Sequence, residues 1–246
     1  SNFLSSLPFN LTQAQKRCLS EVQKDMASST QSMNRLLQGE VGSGKTVVAL
    51  ASLLSVAASG HQGAIMAPTE ILAEQHFQTI VRLLSGLSLP TQTEGSVSVM
   101  IHPHPKPISV GLLTGNTKPS VRQQLLQQAS KGDLDIIVGT HALIQEGIEI
   151  PRLALAVADE QHRFGVLQRA ALREKSELSA HVLVMSATPI PRTLALTLYG
   201  DLDISTIDQL PPGRQQIITR RVSPERRVRA YNFVRQQVTQ GRQAFV

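Results

Sequence analysis

Gly39-Glu-Val-Gly-Ser-Gly-Lys45-Thr46 has the spacing G-x-x-x-x-G-K-[ST], and the chemistry of that string is to hold a polyphosphate. Glycines at 39, 42 and 44 permit backbone angles that a side chain forbids. Successive N–H groups, Ser43 among them, can then turn toward one anion. A helix opening directly after the loop adds the favourable end of its dipole. Lys45 is expected to reach the β- and γ-phosphates, and Thr46 to hold Mg²⁺ through its hydroxyl. Far downstream, the apolar run Leu153–Ala158 ends in Asp159-Glu160. In an open parallel sheet, ligands bind beyond the carboxyl ends of the strands, so both acids are expected to face the same crevice as the phosphate loop. Asp159 is the candidate for holding Mg²⁺ through water, and Glu160 for orienting and deprotonating an attacking water. Acids often start loops, so this pair gains its weight from the phosphate loop upstream. Ser186 and Thr188 follow a further apolar run, His181–Met185. They could report the state of the acidic pair, or cap the helix after Pro189-Ile-Pro191; both readings stay open.

Two periodicities supply the elements that must hold these groups. Leu11, Ala14, Cys18, Val22 and Met26 recur at helical spacing and predict an amphipathic helix over 12–27. Further helices are expected at 47–58, at 69–84 with Thr69 as N-cap, and at 118–131. Short apolar runs at 33–38, 64–67, 110–113, 135–138, 153–158 and 181–186 read as strands. Strands this apolar, separated by helices, indicate a parallel sheet covered on both faces, an α/β doubly wound fold. The proline-rich stretch 88–107 breaks the rhythm and is expected to be an exposed loop insertion. His102 and His104 within it have no third metal ligand nearby in sequence. His61, His76 and His181 read as element-end histidines without metal spacing, and Cys18 as a core filler.

Composition sets bounds on partners. The 246 residues are 41% apolar and 17% charged, an ordinary globular balance, with no apolar window long enough to span a membrane. A lone cysteine excludes a disulfide framework and points to a reducing compartment. The formal charge is +6. Residues 1–210 nevertheless hold 16 Lys/Arg against 17 Asp/Glu, while 211–246 hold eight Arg and one Glu. The surplus therefore lies outside the segment bearing the phosphate loop. Aromatics are only 3%, which argues against a base-stacking platform. There is no starting Met, and the last residues read as the beginning of a buried strand, so a segment of a longer polypeptide is expected.

The order Gly-Ser-Gly-Lys-Thr, Ala-Pro-Thr-Glu, Gly-Thr-His, Asp-Glu-Gln-His, Ser-Ala-Thr resembles the first motor domain of superfamily 2 helicases. A narrower match is carried by Ala67-Pro-Thr-Glu-Ile-Leu-Ala-Glu-Gln-His76, Gly139-Thr-His-Ala-Leu-Ile-Gln145, Asp159-Glu-Gln-His-Arg-Phe-Gly-Val166, Ser186-Ala-Thr-Pro-Ile-Pro-Arg-Thr193 and Leu210-Pro-Pro-Gly-Arg214. These strings look like the RecG family of branched-DNA helicases. The Mfd-type translocases share much of them but typically carry Glu where Gln161 stands. The resemblance covers nearly all of 7–246, apart from 88–107. It implies a RecA-like, P-loop NTPase fold, with 1–210 as motor domain 1 and 211–246 as a linker and the start of motor domain 2. It also implies Phe9 and Gln15 in an adenine-reading segment, and Thr69, Glu70, Thr114, Gly115, Thr140 and His141 on the DNA backbone. Gln161 and His162 would couple nucleotide state to DNA, together with Ser186 and Thr188. ATP and Mg²⁺ would be the cofactors, and branched or forked DNA the partner, in a bacterial cytoplasm and away from any membrane. The second motor domain and an N-terminal wedge domain would lie outside this chain. The chain alone is then expected to bind Mg-ATP weakly, hydrolyse it poorly and not unwind.

Other classes stay in view. A GTPase would want an Asn-Lys-x-Asp guanine reader, which the sequence lacks. A small-molecule kinase would not need Ser186-Ala-Thr188 or a glutamine segment before the loop. An Mfd-like double-stranded DNA translocase is the near alternative. A nucleotide-gated DNA-binding module without turnover is the non-enzymatic one.

Overall fold

The computed structural model describes residues 2–28, 31–102, 104–140, 143, 148–159, 180–187, 202–211 and 219–245. The chain divides into two compact units, Ser1–Pro211 and Pro212–Val246.

In the first unit, α1 (Asn2–Ser6) is followed by α2 (Gln13–Met26). Thr12 begins α2 with a reciprocal capping box. Its hydroxyl accepts from Gln15 N, and its own N–H donates to Gln15 Oε1 at 2.9 Å. The face at helical spacing, Ala14, Cys18, Leu19 and Val22, is buried as the periodicity predicts. β1 (Asn34–Gly39) then leads through the glycine loop into α3 (Lys45–Ala58). Ten of the α3 residues are buried, so this helix is apolar on nearly every side and lies inside the molecule. β2 (Gln62–Met66) and α4 (Glu70–Leu84) follow, the latter capped by Thr69 Oγ1 accepting from Leu72 N. The remaining elements of this unit are β3 (Thr91–Thr93), β4 (Ser96–Val99), β5 (Ile108–Leu113), α5 (Pro119–Lys131), β6 (Ile136–Gly139), β7 (Leu153–Asp159), β8 (His181–Ser186) and β9 (Asp203–Ile207).

Nine strands form one sheet in the order β3-β4-β5-β6-β2-β7-β8-β1-β9. All pairings from β5 to β9 are parallel; β3–β4 and β4–β5 are antiparallel. Two apolar clusters cover its faces, one gathering α2, α3 and α4 and the other α5. The α/β class and the parallel sheet agree with the expectation from the apolar runs.

The sequence reading missed α1 and three strands. The stretch 88–107 is not only a loop, because β3 and β4 within it extend the sheet as an antiparallel hairpin. Val97 and Val99 alternate with Ser96 and Ser98, and both valines are buried. The turn is held down by Leu112 N donating to Gly95 O at 2.9 Å and by Lys118 Nζ on Glu94 at 2.8 Å. The surrounding prolines masked a four-residue alternation. β9 also went unread, because it is a half-polar edge strand whose inward residues are Ser205 and Ile207.

In the second unit, a short 3₁₀ turn (Pro224–Arg226) opens α6 (Arg227–Thr239), on which Val228, Tyr231, Phe233 and Val238 are exposed. Among the described residues, no helix is long and apolar enough to cross a membrane.

Candidate functional site

β1 ends at Gly39, and the next seven residues wrap into the start of α3. Gly42 and Gly44 take φ of 78° and 88°, the left-handed region that favours glycine. A side chain on Gly44 would also run into the Gln15 amide, and one on Gly39 would stand 2.6 Å from Ser43 Oγ and 3.1 Å from Ile207 Cβ. The loop is thus tight because α2 and β9 press on it from outside. Ser43 is fully buried, and its Oγ has no hydrogen-bond partner among the described residues.

Lys45 folds back over the loop, donating to Gly39 O at 2.6 Å and Glu40 O at 3.0 Å. Burial lowers its pKa below the ordinary lysine range, and the charge of Asp159 opposes part of that shift. A partly desolvated ammonium whose partners among the described residues are neutral carbonyls is a site for an anion.

The sheet register brings the other candidates to the same edge. Gln38 pairs with Ser186 across β1–β8, and Met185 pairs with Asp159 across β8–β7. Ser186, buried at the end of β8, therefore lies between the phosphate loop and Asp159. Thr46 supplies a hydroxyl and Asp159 a carboxylate. Hard oxygen donors of this kind fit a small divalent cation that keeps its waters and shares substrate phosphates. Among the described residues no group of three or more His, Cys, Asp or Glu could hold a metal.

Gln15 occupies an unexpected place. It is 2% exposed, and its Nε2 donates to Ser43 O at 2.7 Å while Oε1 completes the Thr12 cap. One N–H and one lone pair remain on the amide, but both of its ends already serve the chain. Phe9, at 41% exposure, keeps its ring at the surface.

A second group lies along the neighbouring half of the edge, at the ends of β5, β6 and β2. Leu113 pairs with Gly139, and Gly139 with Met66, which aligns Thr114, Thr140 and the Ala67–Glu70 segment. Thr69 is exposed at the start of α4. Glu70 accepts a hydrogen bond from Asn116 Nδ2, and a side chain on Gly115 would stand 2.5 Å from Glu70 Oε1. Thr114 is buried, and its N–H donates to Thr117 Oγ1 at 2.9 Å. Glu70 thus acts as a clasp on the Thr114–Thr117 turn. Thr140 is half-buried and precedes a turn closed by Leu143 N on Thr140 O. His141, Glu160, Gln161, His162 and Thr188 lie outside the described residues.

Two residues escaped the sequence reading. Asn116 stands two residues beyond Thr114 in an unremarked turn. His76 is not at an element end. It sits on the inward face of α4 with Nε2 2.6 Å from Asp159 Oδ2. Its spacing from Ala73 and Ile80, both buried, was the available signal.

The DEAD/DEAH box helicase profile matches residues 12–197. The chain is 49% identical over 244 residues to an ATP-dependent DNA helicase RecG of Synechocystis, covering 99% of this chain and 27% of that protein. It is 48% identical to the RecG of Bacillus subtilis, covering 99% of this chain and 33% of the relative. A solved structure of RecG bound to a three-way DNA junction superimposes with a TM-score of 0.80 at 43% identity, covering all of this chain and 30% of that one. The chain thus spans about a third or less of the length of these relatives. The profile takes in the glycine loop, the Thr69–Glu70 segment, Asp159 and Ser186, so the chain belongs to the DEAD/DEAH box helicase family.

Proposed function

We propose that this chain is the nucleotide-binding motor domain of a RecG-type, ATP-dependent DNA helicase that acts on branched DNA. One observation carries the reading. The glycine loop with its desolvated Lys45, Ser186 and Asp159 share one sheet edge with the Thr69, Thr114 and Thr140 segments, in a chain 49% identical to a RecG. Residues 1–210 are the first motor domain and 211–246 the linker and start of the second. The rest of the machine, including the second motor domain and a wedge domain, belongs to the longer polypeptide.

In this reading Lys45 exchanges the Gly39 and Glu40 carbonyls for phosphate oxygens, and the loop N–H groups take the remaining charge. Thr46 and Asp159 are the residues that would hold Mg²⁺, which when bound neutralises charge on the phosphates. Glu160 orients and deprotonates the attacking water. Ser186 sits beside both nucleotide groups and, with Thr188, Gln161 and His162, relays their state. Phe9 stacks at the adenine. Gln15 keeps the phosphate loop in register and offers its spare N–H and lone pair to the base. On the second half of the edge, Thr69 presents a hydroxyl and free N–H groups to a DNA phosphate. Gly115, Thr140 and His141 extend that track, and Glu70 holds the Thr114 turn in place.

The test uses the full-length protein with Lys45→Ala as control. DNA-stimulated ATPase and regression of a model fork should be present in the unmodified protein and lost in the variant. Equal activity on linear and branched DNA would remove the RecG assignment while leaving the motor. ATPase indifferent to DNA would remove both.

A further inference from the structure

We infer that His76 is a positioning residue for Asp159, and that it ties the nucleotide half of the sheet edge to the half proposed to hold DNA. The inference rests on the motor reading above. The two side chains meet at 2.6 Å and are only 11% and 19% exposed, so water competes poorly for the contact. An ionised carboxylate can only accept, which assigns the proton to Nε2 of the imidazole. The bond engages Oδ2 of Asp159, and among the described residues Oδ1 keeps its lone pairs for a cation or its water. Carboxylates near a metal are commonly held by such outer partners, and losing one weakens the metal's hold.

The contact crosses a boundary in the fold. Asp159 ends β7, in the half of the edge that holds the glycine loop. His76 belongs to α4, which follows β2 in the other half. β2 and β7 are neighbours, with Met66 opposite Ala158; α4 packs on β5 and β6, and His76 reaches from it to the end of β7. The first turn of α4 carries Thr69 and Glu70, and Glu70 is bonded to Asn116 of the β5–α5 turn. His76 lies six residues after Glu70, about 9 Å along the helix axis. Ala73, Ile80 and Leu84 anchor α4 in the core as a rigid body. A displacement of its first turn by a phosphate therefore reaches Asp159 through one hydrogen bond.

The experiment reads the Mg²⁺ concentration at which the full-length protein half-maximally binds a fluorescent ADP analogue, with and without forked DNA. His76→Ala should raise that concentration about tenfold. His76→Gln, whose amide N–H can reach the same oxygen, should restore most of it. DNA should shift the Mg²⁺ requirement of the unmodified protein but not of His76→Ala. Thermal unfolding by circular dichroism identifies a variant that fails to fold, and His76→Gln then carries the comparison. An unaltered Mg²⁺ requirement in folded His76→Ala overturns the inference alone, as does His76→Gln as impaired as the alanine variant. A raised requirement that still responds to DNA overturns the link through α4. Absence of analogue binding by the unmodified protein at every Mg²⁺ concentration overturns the nucleotide reading and this inference with it.

Discussion

Lys45 donates to the carbonyls of Gly39 and Glu40, partners that a phosphate would displace in the proposed role. Its loss removes a charge-assisted bond from a half-buried site. Lys45→Ala should therefore weaken nucleotide binding by about 2 kcal/mol, roughly thirtyfold in Kd, in a fluorescence titration. Gly44 makes a different demand. Its φ of 88° and the nearby Gln15 amide both exclude a Cβ. Gly44→Ala should lower stability by at least about 1 kcal/mol from the left-handed backbone alone, read as a lower urea midpoint. His181 offers a pH signature. Its Nδ1 accepts from Met33 N at 2.9 Å, which requires that nitrogen unprotonated. Burial lowers its pKa, and Asp25 opposes part of the shift. The unfolded chain then binds a proton more readily than the folded one. This contribution is complete above the ordinary histidine range and is lost as pH falls from there toward the folded value. Urea midpoints at pH 7.5 and 5.5 should show the fall, and His181→Asn, which keeps an acceptor without the titration, should flatten it. By contrast, Cys18 is held inert, with burial pushing its thiol up to about 11.

At the scale of elements, one charged group joins three of them. Arg35, 9% exposed on β1, reaches Asp25 at 2.7 Å and Glu21 at 3.6 Å on α2, and Ser205 Oγ at 2.9 Å on β9. α2 is further fixed to β9 and the chain after it, since Arg17 donates to Thr206 O and Ala14 N to Gln209 Oε1. Arg35→Met keeps the volume but strands two carboxylates that are only partly solvated. It should cost about 1–3 kcal/mol in urea unfolding and loosen the Gln15–Ser43 contact that depends on α2. The edge hairpin supplies a contrasting case. Val97 and Val99 are buried, so truncating Val99 to Ala should cost about 1–2 kcal/mol while leaving nucleotide affinity unchanged. These elements also show where periodicity speaks and where it does not. The β6, β7 and β8 runs were legible because strands buried on both faces are apolar nearly throughout. β9 and β4 lie near the sheet edges and alternate with Ser and Thr. Their assignment depends on which neighbour they pair with, a fact that local sequence does not carry.

For the whole molecule, the charge excess lies in eight arginines after residue 210, and the unit that carries both candidate faces is close to neutral. Binding of DNA by that unit should therefore depend weakly on salt. A plot of log Kd against log salt for the 246-residue chain with Arg220, Arg221, Arg226, Arg227 and Arg229 changed to Gln should have a slope magnitude below about 2. If the chain is the first motor domain proposed above, it should hydrolyse ATP orders of magnitude more slowly than the full-length protein, because the arginine that completes the transition state would come from the second. The apolar runs by themselves determined the α/β class, and the glycine string and terminal carboxylates pointed to the proposed nucleotide chemistry, since loop curvature, charge and burial period are local properties. The tertiary structure alone decided that Gln15 braces the phosphate loop, that Glu70 clasps Asn116, and that His76 meets Asp159. Each of these pairs is far apart in sequence or on different elements, and only the register and crossover of a parallel sheet bring such groups to one edge.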